Sequence, residues 1–183
     1  GSGSNWLDYS ASTDDVVVTI GGSDGAAGTI TNIQGFIGNH DSNSANPFNS
    51  KLIIANAAAG SVNNWLIALL EEHNSNEIIS DGINDGVYNK GASDQFYFIN
   101  FNQLVGGEGN DTFTFSEGAQ LTGSIDGGNG TNTIDATGSS LDHTFSVNEA
   151  SDVGVFFQNI GQIQANSTTN NRLLGANRHN QWR

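Results

Sequence analysis

The chain has 183 residues, of which 36% are hydrophobic and only 13% are charged; 24 are glycine and none is cysteine. The lack of cysteine excludes disulfides, thiolate zinc sites and cysteine nucleophiles. The net charge of −14, from 19 carboxylates against five cations, repels phosphate backbones and anionic bilayers, so we expect no nucleic-acid partner and no membrane insertion, whereas divalent cations are attracted.

Short alternating apolar runs, separated by Gly, Asn and Asp, predict a succession of β-strands. A segment over 65–73 is compatible either with a short helix, capped by Asn63 or Asn64, or with another strand. The single proline, Pro47, lies in a predicted loop over 39–50. In chain order the predicted strands are 16–20, 29–37, 51–54, 95–101, 112–115, 143–147 and 155–163.

An internal repeat is the strongest pattern in the sequence. An offset of 127 residues aligns the start of the chain with Gly128 onwards and continues without a gap to Asn39, which falls on Asn166. After an insertion in the first copy, Lys51-Leu52-Ile53 matches Arg172-Leu173-Leu174. A repeat of this kind predicts a structure in which successive units stack on their neighbours.

A third, partial copy at 100–106 matches 32–38 and 159–165, each beginning with Asn and an apolar residue. The sequence therefore predicts an all-β fold, a parallel β-solenoid of the β-helix or β-roll type with irregular rungs and loop insertions. We assign a single unit over 1–183, with repeat copy 1 at 1–67, connecting rungs at 68–127 and repeat copy 2 at 128–183. No polar capping segment is visible at either end, so we expect flanking copies of the same repeat or like subunits as partners, up to a homopolymer.

A glycine-rich nonapeptide, Gly106 to Thr114, fits the pattern G-G-x-G-x-D-x-apolar-x at every position. Its glycines permit positive φ and expose carbonyl groups, its Asp supplies a charged oxygen, and its apolar residue enters the core. This motif resembles the RTX, or haemolysin-type, calcium-binding repeat family, in the degenerate form found in large bacterial surface, adhesin-like exoproteins. The resemblance implies a right-handed solenoid, an extracellular location and calcium held between two loops stacked one rung apart.

A second loop, Gly127 to Asp135, begins 21 residues after the first, which suits direct stacking on a wide turn rather than a tight tandem roll. Its sixth position is Asn132 instead of Asp, which keeps an oxygen ligand but removes a charge. Together with the resemblance, the loops predict a weak calcium site that uses Glu108, Asp111, Asn129 and Asn132. The alternative is a metal-free turn with stacked Asn amides.

Other candidate sites are weaker. The four histidines, at 40, 73, 143 and 179, share no ligand spacing, so no zinc site is predicted. Residues 81–86 resemble part of an EF-hand loop but lack its ligands at the third and twelfth places, which favours a polar turn. Trp6, Trp65 and Trp182 each follow Asn or Gln; sugar stacking is one interpretation, and packing in the core is favoured.

Two classes of function remain. The first is a non-catalytic structural or adhesive module of a secreted bacterial cell-surface or extracellular filament protein, calcium-stabilised and assembling end to end. The second is a polysaccharide-binding or polysaccharide-modifying β-helix protein, for which surface glycans are the partners. Lyase or epimerase chemistry on uronic acids needs cations beside the substrate carboxylate, and three of the five cations lie in the last dozen residues. We therefore expect no enzymatic activity. No signal peptide is visible.

Overall fold

The computed structural model describes residues 5–20, 33–39, 50–54, 62–70, 83–90, 94–147 and 154–175. Within them the chain forms strands and no helix, so this part of the chain holds no helix that could cross a membrane. The predicted all-β class is confirmed. The strands are β1 Trp6–Asp8, β2 Val17–Ile20, β3 Gly35–Ile37, β4 Lys51–Ile54, β5 Val62–Ile67, β6 Gly86–Lys90, β7 Asp94–Ile99, β8 Gln103–Val105, β9 Asn110–Phe115, β10 Ser124–Asp126, β11 Thr133–Ala136, β12 Thr144–Ser146, β13 Val155–Gln158, β14 Gln162–Ala165 and β15 Arg172–Leu174.

The strands form two sheets, and the chain passes repeatedly from one sheet to the other. The eight-stranded sheet has the order β1-β3-β7-β6-β5-β9-β11-β14, and the seven-stranded sheet has the order β2-β4-β8-β10-β13-β12-β15. All neighbours in the seven-stranded sheet are parallel. In the eight-stranded sheet only β6 runs against its neighbours, β5 and β7. This is a departure from the parallel arrangement predicted; only 91–93 separate β6 from β7, too few residues for a parallel crossover.

The 127-residue repeat recurs in the positions of the strands. β1, β2 and β3 correspond to β11, β12 and β14 at that offset, and β4 corresponds to β15 after the insertion. The pairing is also repeated: Trp6 lies opposite Gly35 in β1 and β3, and Thr133 lies opposite Gln162 in β11 and β14. In the other sheet, β2 pairs with β4 and β12 with β15, both parallel. In the residues that the structure describes, corresponding strands of the two copies therefore lie in the same sheets and pair in the same way.

One apolar core lies between the sheets. Alternate residues point inward in strands such as β9, where Phe113 and Phe115 are fully buried. The ring of Phe115 meets that of Phe145, on the seven-stranded sheet, at a centroid distance of 5.8 Å. Full burial of each such side chain contributes about 1.5–3 kcal/mol. Packing of stacked side chains, rather than long strands, thus holds the fold together.

Asparagines form corners of the chain. Asn100 and Asn159, which open two of the repeat segments recognised in the sequence, have φ values of 60° and 55°. Asn tolerates this left-handed conformation better than other residues with a side chain. Asn100 follows the end of β7, and Asn159 separates β13 from β14. The single strand predicted over 155–163 is therefore two strands that lie in different sheets.

Of the segment over 65–73 that allowed either a helix or a strand, 65–67 are strand, 68–70 are neither, and 71–73 lie outside the described residues. β5 is Val62–Ile67, and its burial alternates strictly between exposed and buried residues. Trp65 faces the core, and the residues on either side of it, Asn64 and Leu66, are exposed. Of the strand predicted over 29–37, the structure describes β3, while 29–32, most of the loop over 39–50, and His73 lie outside the described residues.

Candidate metal site in the stacked glycine loops

The two glycine loops stack directly, as their spacing predicts. β9 and β11, which follow the loops, pair in parallel with Phe113 opposite Ile134. The loops themselves are joined, because the backbone N–H of Asn129 donates to the carbonyl oxygen of Gly107 at 2.7 Å. The wide turn of 21 residues therefore places the second loop directly beside the first, on the neighbouring strand of the sheet.

Glycines allow the loops to come this close. Gly107 and Gly128 have φ values of 79° and 69°, and Gly109 and Gly130 have values of 110° and 97°. A Cβ on Gly128 would lie 2.1 Å from the carbonyl oxygen of Gly107, and one on Gly130 would lie 1.7 Å from that of Gly109. Both the backbone conformation and the contact therefore require glycine.

Asp111, the acidic residue of the first loop, points into the core. Its residue surface is fully buried. Its Oδ1 accepts a hydrogen bond from Nε1 of Trp65 at 2.9 Å, whereas its buried Oδ2 has no hydrogen-bond partner. Burial raises the pKa of Asp111 to about 6, and the hydrogen bond from Trp65 and the nearby amide of Asn63 offset part of this rise. Only one of the two carboxylate oxygens therefore has a hydrogen-bond partner, and ionisation of the buried group is energetically unfavourable.

Amides stack above and below this carboxyl group. Asn63 lies opposite Asp111 in the parallel pair of β5 and β9. On the other side, Oδ1 of Asn132 accepts the backbone N–H of Asp111 at 2.9 Å, and Nδ2 of Asn132 donates to the carbonyl oxygen of Asn159, also at 2.9 Å. Asn132 is thus engaged at both ends of its side chain and joins three successive strands.

The remaining two predicted ligands form a separate, more exposed pair. Nδ2 of Asn129 donates to Oε1 of Glu108 at 2.8 Å across the loops. The backbone carbonyl of Glu108 faces the buried column instead and accepts from Nδ2 of Asn63 at 3.4 Å. The four predicted residues are therefore divided between a buried pair, Asp111 and Asn132, and a surface pair, Glu108 and Asn129.

The chemistry of these donors is compatible with a calcium ion near Asp111. Oδ2 of Asp111 is a buried anionic oxygen that lacks a partner, and a cation would neutralise it. Over the described ranges no group of three or more His, Cys, Asp or Glu side chains is placed to hold a metal. The other ligands would be backbone and amide oxygens, which calcium accepts and which make weak sites when the charge count is low.

Sequence reasoning did not identify Tyr88 as a neighbour of this site. Its hydroxyl is buried without a hydrogen-bond partner. Burial, and then the charge of Asp111, raise the pKa of Tyr88 well above its usual range. Its ring meets that of Trp65 at 4.8 Å. Tyr88 lies on β6, and only the alternation in Val87-Tyr88-Asn89 could have indicated an inward tyrosine.

Two of the three tryptophans are described. Trp65 is a core residue, stacked on Phe113 at 5.3 Å, as favoured from the sequence. Trp6 instead covers Gly35 on β3 and stacks against Tyr97 at 6.0 Å. An aromatic ring placed over a strand glycine supplies the packing that the glycine lacks. Trp182 lies outside the described residues.

His143, another candidate residue, is packed in the core and contacts other side chains. His143 is buried between Phe115 and Phe145 and contacts Oγ of Ser139 through Nε2 at 2.8 Å. Burial lowers the pKa of His143, and the charge of Asp142 offsets part of the fall. The three other histidines lie outside the described residues.

The described part of the segment 81–86 is a bend at Asn84 between an isolated parallel bridge of Ile83 to Gln120 and the start of β6. Asn84 has a φ of 63°, and the buried Asp85 accepts the backbone N–H of Asn100 at 2.9 Å. A carboxylate that ties two parts of the chain together in this way has a structural role.

Comparisons of the chain with protein-family models, with curated proteins and with solved structures find no match. The stacked loops and their buried carboxyl group are therefore the main evidence on function.

Proposed function

We propose that the chain is a non-catalytic structural or adhesive module of a secreted bacterial cell-surface or extracellular filament protein, stabilised by calcium at its stacked glycine loops. The observation that carries this proposal is the fully buried Asp111, whose Oδ2 has no partner, beside two loops stacked one strand apart. The resemblance of the nonapeptide to calcium-binding repeats supports it independently.

The fold that we propose is a right-handed parallel β-solenoid with irregular rungs. Its support is the repeated passage of the chain between two sheets in which all neighbouring strands are parallel except at β6. The order is irregular, since β5 to β7 run back towards β3 and β13 lies between β10 and β12. The 21-residue turn between the loops is one such rung, and the antiparallel β6 is an insertion that interrupts the stack. A stack of this kind supplies length and stiffness, which suits a structural module.

Calcium bound here would have a structural role, because its charge would neutralise the buried carboxylate of Asp111. At neutral pH an ionised Asp111 opposes folding, because its charge must be removed from water. A bound cation would offset this cost, and the carboxylate of Asp111 with the oxygens of the loops would hold it. Asn132 makes the contact between the stacked loops through its side-chain amide. A carboxylate at this position would instead repel Asp111.

The distribution of cations supports a non-catalytic role. Lys51 on β4 and Arg172 on β15 are separated in the seven-stranded sheet by four strands, a span of about 24 Å. They do not converge on one place where a uronic acid could bind. Two buried ionisable side chains have aromatic neighbours, Trp65 beside Asp111 and two phenylalanines beside His143.

One observation favours the alternative of polysaccharide binding. Trp6 and Tyr97 form a stacked pair at 6.0 Å on the eight-stranded sheet, and both rings are partly exposed. Such rings can pack against sugar faces. Retention of the chain on immobilised acidic and neutral polysaccharides, lost in W6A, would support this alternative over a purely structural module.

The test of the main proposal is thermal unfolding with calcium and with a chelator, for wild type and for N132D. We expect calcium to raise the Tm of wild type. In N132D, a second carboxylate beside Asp111 lowers the Tm in chelator and enlarges the calcium-dependent rise. Magnesium at the same concentration serves as the control for ionic strength. A wild-type Tm that does not respond to calcium would refute the calcium site.

A further inference from the structure

We infer that copies of this chain associate head to tail, with β14 and β15 of one copy pairing in parallel with β1 and β2 of the next. This inference rests on the proposed structural function and names its partner as a second copy. At one end of the stack the edge strands of the two sheets are β1 and β2, and at the other end they are β14 and β15. The two ends are therefore different surfaces. Within the described residues, each of these four strands has a strand neighbour on one edge alone.

The repeat shows what each open edge can accept. β1 corresponds to β11, whose outer edge is covered in parallel by β9. β14 corresponds to β3, whose outer edge is covered in parallel by β7. The chain thus already pairs the equivalents of both open edges with parallel strands. An edge of unpaired N–H and C=O groups is a template for such pairing.

The inward side chains set the register between copies. Leu7 on β1 and Ile163 on β14 are partly buried residues that pack against the core from opposite ends. Pairing Ile163 with Leu7 of the next copy continues the column of inward apolar side chains. In the other sheet the same rule places Leu173, which is 48% exposed, against Val18 of the next copy.

Charge at the two ends is complementary. Asp14 and Asp15, both exposed, immediately precede β2, and Asp8 is the exposed last residue of β1. Arg172 is the exposed first residue of β15. The register given above brings this arginine opposite Val17, at the start of β2 of the next copy, the strand that the two acidic residues precede. A chain of net charge −14 repels its own kind, so a local pair of opposite charges favours this contact over others.

In head-to-tail pairing, each contact joins the β14 edge of one copy to the β1 edge of the next. A variant that blocks one edge can therefore be mixed with a variant that blocks the other. The N–H of Gln162 donates to Asn132, and alternate residues of a strand face opposite edges, so the N–H of Ala165 points outward. On β1 the N–H of Tyr9 donates to Ile37, so that of Asp8 points outward. A165P and D8P each remove one outward donor, and proline is tolerated on such an edge.

Sedimentation at physiological salt provides the readout. We expect wild type to form oligomers whose size grows with concentration, and each variant alone to sediment as a monomer. An equimolar mixture of A165P and D8P retains one matched pair of edges and should form dimers. R172E should weaken wild-type association by up to about fivefold.

The possible results separate this inference from the proposed function. A wild type that stays monomeric at every concentration overturns the inference, and so do dimers of A165P alone, which would indicate pairing between like edges. Calcium-dependent unfolding of a dilute, monomeric sample is independent of association. If it persists while association is absent, the structural function stands and the partner is wrong. If calcium has no effect while the mixed variants dimerise, the association between copies stands and the calcium-stabilised function is wrong.

Discussion

Nε1 of Trp65 donates a hydrogen bond to Oδ1 of Asp111 at 2.9 Å, from the middle of β5 to the start of β9. Both residues are fully buried. The hydrogen bond satisfies one carboxylate oxygen and leaves Oδ2 without a partner. Because the group is buried and only half satisfied, the stability of the fold should depend on protons and cations at this one position.

Replacement of Asp111 by Asn should stabilise the protein at neutral pH in the absence of calcium. The folded-state pKa is about 6, above the ordinary value of 3.8, so the folded state binds the proton more tightly than the unfolded state. Asp111 therefore contributes least to stability above pH 6, and its contribution improves as the pH falls from 6 towards 4. We expect D111N to gain about 3 kcal/mol in the free energy of unfolding at pH 7 and little at pH 4, as measured by denaturant titration with a chelator.

D135N is the matched control for this substitution. Asp135, on the neighbouring strand β11, accepts hydrogen bonds from Thr137 through Oδ1, and Asn retains that acceptor. The change in net charge is the same, but the group is not buried in the core. D135N should therefore not reproduce the gain in stability that D111N shows at pH 7. A slope in D111N equal to that of wild type would mean that Asp111 is not the titrating group.

W65F should destabilise the protein by about 2–4 kcal/mol, because it removes a donor to a buried carboxyl group and some packing volume. The loss should be larger at pH 7 than at pH 5, where a protonated Asp111 needs the donor less. In the D111N background the pH dependence of the W65F effect should disappear. W6F, which changes the ring over Gly35 on the outside of the sheet, is the control and should cost less than W65F at every pH.

The contact between the two glycine loops predicts a contrast between two alanine substitutions. G128A places a Cβ 2.1 Å from the carbonyl oxygen of Gly107 on a residue with a φ of 69°; we expect a loss of more than about 3 kcal/mol. In G138A the nearest atom lies at 3.6 Å, and the backbone is not in the left-handed region, so we expect no loss or a gain of up to about 1 kcal/mol. Chemical denaturation of both variants checks this, and equal losses would argue against stacked loops.

The sequence predicts the stacking of the loops but not the surroundings of Asp111. The spacing of 21 residues suffices to place Asn132 beside Asp111, because stacking requires only equal turn length. By contrast, Trp65 lies 46 residues from its hydrogen-bond partner, across the insertion that contains β6. No periodicity relates these positions, so whether the carboxyl group faces solvent or the core could not be predicted.

Strand length explains the other differences. β1, β8, β10 and β15 each have three residues, which is too short for alternation to be recognised. Through the repeat, β15 aligns with the strand predicted over 51–54, whereas β1 aligns with β11, where no strand was predicted. Their positions depend on pairing with neighbours, which is a tertiary effect that local pattern does not contain.

His143 should produce a pH dependence opposite to that of Asp111. Its pKa is lowered by burial, so the folded state disfavours the protonated imidazole. Its contribution to stability is therefore complete above the ordinary pKa of 6.5 and decreases as the pH falls below that value. In wild type this loss is masked between pH 6 and 4 by the gain at Asp111.

The D111N background removes that gain and isolates the histidine. We expect the free energy of unfolding of D111N to decrease as the pH falls from 7 to 5, with calcium removed by a chelator. H143Q in the same background should flatten the curve, because glutamine cannot take up the proton although it can still bond to Ser139. If D111N/H143Q and D111N show the same slope below pH 6.5, the proton is taken up at another group, and the packing of His143 between Phe115 and Phe145 does not control its charge.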